Sequence, residues 1–347
     1  MHMVRRVTSL GFPLFAGALY AQQILQPTDE FPVNGVANTI TVGATRCDAN
    51  GDIYLRVASA PDITHERLTR IGRNGSISTF DLETLADSTL RGLRLQDFAI
   101  VEDSVWLLAS ASSKSAERNY ALQFDRQGTY KTAVEFQGDF YLEQIAVFPA
   151  GNFLASGSER TGSGQEPALQ TMTALFDPTG KLLARVQIER EHQAGKEKAG
   201  DSNEVSREIT LGTAESYGGE IYILKASANP EILVISASGT VARRFAFEPP
   251  FSDAGTANMR VVQGQIVVEF LRPKEGATPA KPGAPVFFDA TRSLYLVYDA
   301  FTGDKLAIYS RDPALQGQWA CFDGRGGFEF LGESESGLRK IIKAGAR

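Results

Sequence analysis

A turn that recurs around a glycine constrains this chain more than any other feature. Runs rich in β-branched and aromatic residues flank it at Ile71 to Ile77 around Gly75, Phe124 to Tyr130 around Gly128 and Phe176 to Leu182 around Gly180. Two further copies are Ile235 to Val241 around Gly239 and Tyr298 to Leu306 around Gly303. These glycines are spaced by 53, 52, 59 and 64 residues, so one unit repeats through the chain. A second series lies upstream of the first, at Cys47 to Leu55 around Gly51, Phe148 to Leu154 around Gly151, Tyr217 to Ile223 around Gly219, Gly264, and Asp323 to Phe330 around Gly326. Ile100 to Leu107 fills the same slot without glycine. Each copy has the form of a hairpin whose glycine supplies the positive φ of a tight turn.

Two hairpins per unit of about 52 residues predict four antiparallel strands, and six units predict an all-β, six-bladed β-propeller of four-stranded antiparallel blades. The last unit ends at Gly337 to Lys343, a third strand, so the Ile24 to Val36 region is expected to supply the fourth and close the ring as an N-terminal strand. Closure of this kind hides two sheet edges. Stacked β-sandwich domains are the alternative architecture.

The first residues have the order of an export signal. Arg5 and Arg6 precede an apolar run from Val7 to Ala21, and polar sequence begins at Gln22. Cleavage after Ala18 or after Ala21 fits the small residues there, and a buried N-terminal helix is the competing reading, interrupted by Pro13 and two glycines. Residues 1–21 are therefore expected to be a signal peptide and 22–347 a single domain with about 54 residues per blade. The run is shorter than the ~20 residues a bilayer span needs. The expected location is the periplasm or the exterior, with no membrane span, as a monomer.

Composition narrows the chemistry. Lys and Arg total 35 against 41 Asp and Glu, a net charge of -6, and no basic stripe is present, which argues against nucleic acid. Three His and two Cys, none clustered, do not form a recurrent zinc site. His65 and His192 fall in predicted loops without a G-x-S-x-G turn beside them, so nucleophilic catalysis has no candidate constellation.

The aspartate-glycine turns from Asp48 to Leu55 and the F-D-x-x-G hairpins at Phe124 and Phe176 resemble the six-bladed propellers of the NHL-repeat and gluconolactonase-like type, over most of the chain after the signal segment. The resemblance implies fold more than function, because similar propellers include lactone hydrolases, protein-binding modules and structural repeats. Gluconolactonase-like propellers hold a divalent cation at the axis through acidic and amide oxygens. Asp97, Glu143, Gln144 and Asn258 supply those atom types here, although the fourth to sixth units lack a matching aspartate.

In a propeller the innermost strands line the axis. Aligning the turns places Arg46, Asp97, Glu143, Gln144, Asn258, Arg260 and Trp319 near its mouth, on the face where the long loops from 58 to 67, 110 to 118, 157 to 168, 189 to 207 and 271 to 292 are expected. Long loops on a rigid scaffold commonly carry binding function. The expected activity is non-catalytic binding of an extracytoplasmic protein or small molecule through that face, with no cofactor assigned. The alternative is a metal-dependent hydrolase of the lactonase type, which would need a divalent cation. Tyr54, Trp106, Phe153, Tyr222 and Phe328 recur after the inner turns and are expected to pack between blades. Cys47 and Cys321 fall near the ends of neighbouring first strands, as a disulfide across the closure or as two buried thiols. Their offsets from the turn glycines differ by about one residue, which by alignment puts them on opposite faces.

Overall fold

The computed structural model of the protein describes residues 21–33, 39–59, 66–85, 87–90, 92–112, 117–161, 168–186, 213–225, 230–251, 255–274, 288–334 and 338–346. The expected signal segment, apart from Ala21, and most of the long-loop residues lie outside these ranges. Among the described residues no helix is long and apolar enough to cross a membrane. Apart from two single-turn 3₁₀ segments, the regular structure of the described residues is all β.

Among the described residues the first strand is β1 (Gln23–Pro32), and four separate four-stranded antiparallel sheets follow it. These are β2 to β5 (Thr39–Cys47, Ile53–Ser59, Glu66–Ile71, Ile77–Phe80) and β6 to β9 (Arg94–Val101, Ser104–Ser112, Glu117–Asp125, Tyr130–Glu135). Next come β10 to β13 (Phe140–Val147, Phe153–Thr161, Ala168–Phe176, Leu182–Arg185) and β14 to β17 (Ala214–Tyr217, Glu220–Lys225, Glu231–Ile235, Val241–Ala246). The remaining strands are β18 to β21 (Gly255–Val262, Gln265–Pro273, Phe288–Asp299, Lys305–Arg311) and β22 to β24 (Gln318–Phe322, Phe328–Glu333, Arg339–Ala346). Together with β1 they form one eight-stranded sheet in the order β18-β19-β20-β21-β1-β24-β23-β22. The arrangement is propeller-like, but six separate sheets are not what it contains. The reason lies in β1, which uses both edges. It runs antiparallel to β24, as expected of a closing strand, and also parallel to β21 from Gln23 to Leu25.

Side-chain packing passes from sheet to sheet and returns to its start. Tyr54, Leu68 and Phe80 of the first sheet pack with Phe98, Leu107 and Phe124 of the second. Corresponding clusters join the second to the third, the third to the fourth, the fourth to β18–β21, and β18–β21 to β22–β24. Finally Ile53, Leu55 and Val57 meet Cys321, Leu331 and Ile341. The middle strands are thus buried on both faces, which is why Ile53-Tyr54-Leu55 and Val105-Trp106-Leu107-Leu108 are continuous apolar runs rather than alternating ones. Tyr54, Trp106, Phe153, Tyr222 and Phe328 are all buried in these interfaces, as their recurrence predicts.

The hairpin motif has two physical parts. Its aspartate caps the turn: Asp125 Oδ1 accepts from the backbone N–H groups of Gln127 and Thr129, and Asp177 Oδ1 from those of Thr179 and Lys181. Its glycine adopts positive φ and also lets the turn dock on the preceding sheet. At Gly180 (φ +83°) an added Cβ would lie 2.1 Å from the Glu135 carbonyl oxygen, whereas at Gly75 (φ +77°) it would meet open space. Gly180→Ala is therefore expected to lower stability by about 1–3 kcal/mol more than Gly75→Ala, the excess being the clash with backbone. Urea midpoints of the two variants measure that difference, and equal midpoints would refute the docking argument.

Candidate functional site: the axial pocket

The innermost strands β2, β6, β10, β14, β18 and β22 converge, and five of them carry a register shift: at Val42/Arg46, Leu95/Asp97, Leu142/Gln144, Thr256/Asn258 and Trp319/Cys321. Such bulges bend a strand and re-aim the side chains beyond them. Here they leave carbonyls at the strand starts that neighbouring side chains satisfy. Arg56 donates to the Leu95 and Gln96 carbonyls, and Asn119 donates to the Phe140 carbonyl while accepting from the Leu142 N–H.

Beyond the bulges, toward the tight-turn ends of the strands, two ion pairs meet. Arg46 Nη2 lies 3.1 Å from Asp97 Oδ1, and Asp97 Oδ2 also accepts from the Ile145 N–H at 3.0 Å. The Arg46 guanidinium sits 4.6 Å over the Phe98 ring. Arg260, only 2% exposed, reaches across the axis. Its Nε donates to the Ala320 carbonyl at 3.0 Å, its Nη1 to the Met259 carbonyl at 2.7 Å and to Glu215 Oε1 at 3.3 Å, and its Nη2 to the Thr45 carbonyl. One side chain thus ties β18 to β14, β22 and β2. Burial pushes the Glu215 carboxyl above the usual carboxylate range, and the nearby Arg260 and Arg46 charges pull it back.

Above this floor a cavity of about 540 Å³ opens between the inner turns. Ala99, Ile100, Val101, Ala146, Val261 and Phe322 give it apolar walls, and Arg46, Glu215 and Arg260 line its base. Arg126 adds a cation at the side, with Nη1 3.4 Å from Asp48 and Nη2 donating to the Glu102 carbonyl at 2.6 Å. The pocket is therefore on the tight-turn face. The long-loop face, where the sequence places the mouth, is made of residues mostly outside the described ranges.

Arg46 differs from Arg260 in one respect. It is 7% exposed, yet its Nε and Nη1 are buried with no hydrogen-bond partner. A buried donor left unmade costs about 1–3 kcal/mol, so such groups ask for an explanation.

The seven predicted residues separate into four groups. Arg46 and Arg260 come together at the pocket floor, near the ends of their strands rather than the starts, and Asp97, midway along β6, stands against Arg46 without lining the cavity. Asn258 is buried elsewhere, donating to Glu269 at 3.3 Å beside the Tyr295 hydroxyl, which donates to the same carboxyl at 3.1 Å. Burial raises the pKa of Glu269 against these hydrogen bonds. Gln144 is half-buried and Glu143 exposed at its bulge. Trp319 does not reach a mouth. It is fully buried, with Nε1 donating to the Cys321 carbonyl at 2.9 Å and its ring 5.2 Å from that of Tyr295. The bulge at Ala320 turns it into the core between β20 and β23.

Glu215 and Arg126 complete the pocket. Glu215 is visible in the sequence by turn alignment, but Arg126 sits in an outer hairpin and carries no signal that it reaches the axis. Cys47 and Cys321 are both free thiols, and the Cys321 thiol is within hydrogen-bond reach of Cys47, which with burial pushes its pKa well up.

No family model and no curated protein matches the chain. Solved structures do resemble it. A protein of unknown function from Bacteroides caccae is 13% identical over 84% of this chain and 94% of its own, with a TM-score of 0.45. Another of unknown function, from Dyadobacter fermentans, is 8% identical over 93% of this chain and 99% of its own, with a TM-score of 0.46.

Proposed function

We propose that this chain is an exported, non-catalytic binding module on a six-bladed propeller, taking a small molecule in the axial pocket. In this reading the eight-stranded sheet is two four-stranded blades whose outer edges join where β1 runs beside β21. Six packing clusters, one between each neighbouring pair of units, support it. The long loops that first suggested a binding face lie mostly outside the described residues, so the ligand is placed in the pocket that the described residues form.

The observation that carries the reading is the state of the axial charges. Asp97 and Glu215 are each engaged by an arginine, and among the described residues no three His, Cys, Asp or Glu approach closely enough to hold a metal ion. What is left is preformed shape with polar groups at one end, the usual make-up of a ligand site. Thermal shifts of the purified protein against organic acids, sugars, amino acids and short peptides, with and without calcium, test it. Stabilisation by one class without turnover is the expected result. Calcium-dependent hydrolysis of a sugar lactone would replace this reading with the lactonase-type hydrolase.

A further inference from the structure

We infer that the thiols of Cys47 and Cys321 together form a two-coordinate site for one thiophilic monovalent cation of the Cu(I) class. What the axial pocket binds has no bearing on it. Position comes first. The inner strands β2 and β22 lie side by side where the ring closes, and Thr45 Oγ1 donates to the Trp319 carbonyl at 3.1 Å. Cys47 and Cys321 each stand two residues further along their strand, and both strands lead into tight turns that line one cavity. The alignment fixed at Thr45 and Trp319 therefore brings the cysteines opposite each other. They share a packing cluster with Ile53, Leu55 and Leu331, and their thiols are within hydrogen-bond reach.

Access comes second. Cys47 borders the axial pocket. Cys321 borders a second cavity of about 540 Å³ between the first and last units, with Asp48, Arg73, Asp323, Glu329 and Lys343 at its sides. Asp48, Ala49, Val262, Gln263 and Phe322 line both cavities, so the thiols stand at the partition between them. Cys47 is partly exposed and Cys321 buried. An ion therefore meets Cys47 first, and the second sulfur then holds it away from water.

The donor set selects the ion. Thiolate sulfur is soft and favours Cu(I) over calcium, magnesium or manganese. Structural zinc asks for four ligands, and among the described residues no three His, Cys, Asp or Glu are close enough to begin such a set. Two sulfurs alone satisfy a linear, two-coordinate ion with a filled d shell. Binding replaces both thiol protons with one Cu(I), so two protons leave and the site gains one negative charge. Burial, Cys47 and Glu329 oppose ionisation of Cys321, whereas the Arg260 charge favours it, so a counter-charge for the loaded site is already in place.

Anaerobic titration of the fully reduced protein with Cu(I), in competition with a chromogenic Cu(I) chelator, tests the site. One ion per chain is expected, with sulfur-to-copper absorption in the ultraviolet and release of protons. Cys47→Ser should weaken binding by about a hundredfold or more, and Cys321→Ala likewise. Because a change at the buried cysteine risks the fold, the unaltered protein supplies a second readout. One equivalent of Cu(I) should slow alkylation of Cys47 by iodoacetamide by about tenfold or more, since the thiolate is the attacking species. Prior oxidation to the Cys47–Cys321 disulfide should abolish binding, and equimolar zinc should not compete. Unchanged Cu(I) affinity in a folded Cys47→Ser variant or in the oxidised protein would overturn the inference. So would zinc competing on equal terms, or Cys47 alkylated at the same rate with and without Cu(I).

Discussion

Arg260→Met is expected to unfold at a markedly lower urea midpoint, with a loss of about 3–5 kcal/mol. The guanidinium is buried and makes hydrogen bonds to the Ala320, Met259 and Thr45 carbonyls as well as the ion pair with Glu215. Removing it leaves those carbonyls with one donor fewer and a buried carboxylate without its main counter-charge. The second effect dominates, because desolvation of an unpaired charge is larger than the net value of a hydrogen bond. Two controls separate the terms. Arg260→Met combined with Glu215→Leu removes both charges and should recover more than half of the loss. The pH dependence should also change. Burial already raises Glu215, and without Arg260 it would rise further, so the folded variant takes up a proton more readily than the unfolded chain. A group raised in this way stabilises below its unfolded pKa and loses that contribution as pH climbs through its folded value. The penalty of Arg260→Met is therefore expected to shrink in mild acid and to be full at neutral pH. A penalty independent of pH, or no recovery in the double variant, would show that the carbonyl contacts and not the charge set the cost.

The axis also explains how far the residues alone could be read. Turn chemistry was legible because it is local: Asp125, Asp177 and Asp299 cap their own turns, and the glycines after them need only their own φ and a close neighbour. The order of strands and the burial of Tyr54 or Phe328 followed from that period. Bulges are a different matter, because they arise where an inner strand must bend toward the axis, and nothing in Leu95-Gln96-Asp97 or Trp319-Ala320-Cys321 marks the residue that is skipped. Counting back from turns therefore identified Arg46 and Arg260 as axial but put them at the wrong end of their strands. It gave Trp319 to the channel when its indole belongs to the cluster with Tyr295 and Phe328. The double role of β1 was equally hidden, since pairing with β21 depends on how the ends of two distant segments meet in space.

The cysteines show the same logic in a form that leads to an expected result. A one-residue difference in offset suggests side chains on opposite faces, and on a single sheet that would keep them apart. Neighbouring sheets in a ring, however, meet through opposite faces, so an odd offset is what turns the two toward each other. Cys47 pairs with Ile53 and shares its face with Leu55 and Val57, while Cys321 shares its face with Leu331 and Ile341, and these two faces form one cluster. Exposed to a disulfide oxidant such as oxidised glutathione, the folded protein is expected to form a Cys47–Cys321 disulfide. Cys321 is held protonated by burial and by its neighbour, so the half-buried Cys47, which borders the axial pocket, attacks first. Its thiolate forms a mixed disulfide and releases one glutathione thiol, and Cys321 then displaces the second, leaving the protein two hydrogens lighter. The bond would link the first inner strand to the last and stabilise the closed ring by about 2–4 kcal/mol, read as the difference in urea midpoint between oxidised and reduced protein. Cys47→Ser should abolish that difference without affecting the reduced midpoint strongly, because the reduced thiols add little beyond packing. Two titratable thiols in the unfolded, unreduced protein after oxidant treatment would exclude the bond. A bond that forms without raising the midpoint would show that closure is already held by the other ties between these strands, Thr45 Oγ1 to the Trp319 carbonyl and Arg260 to the Thr45 and Ala320 carbonyls.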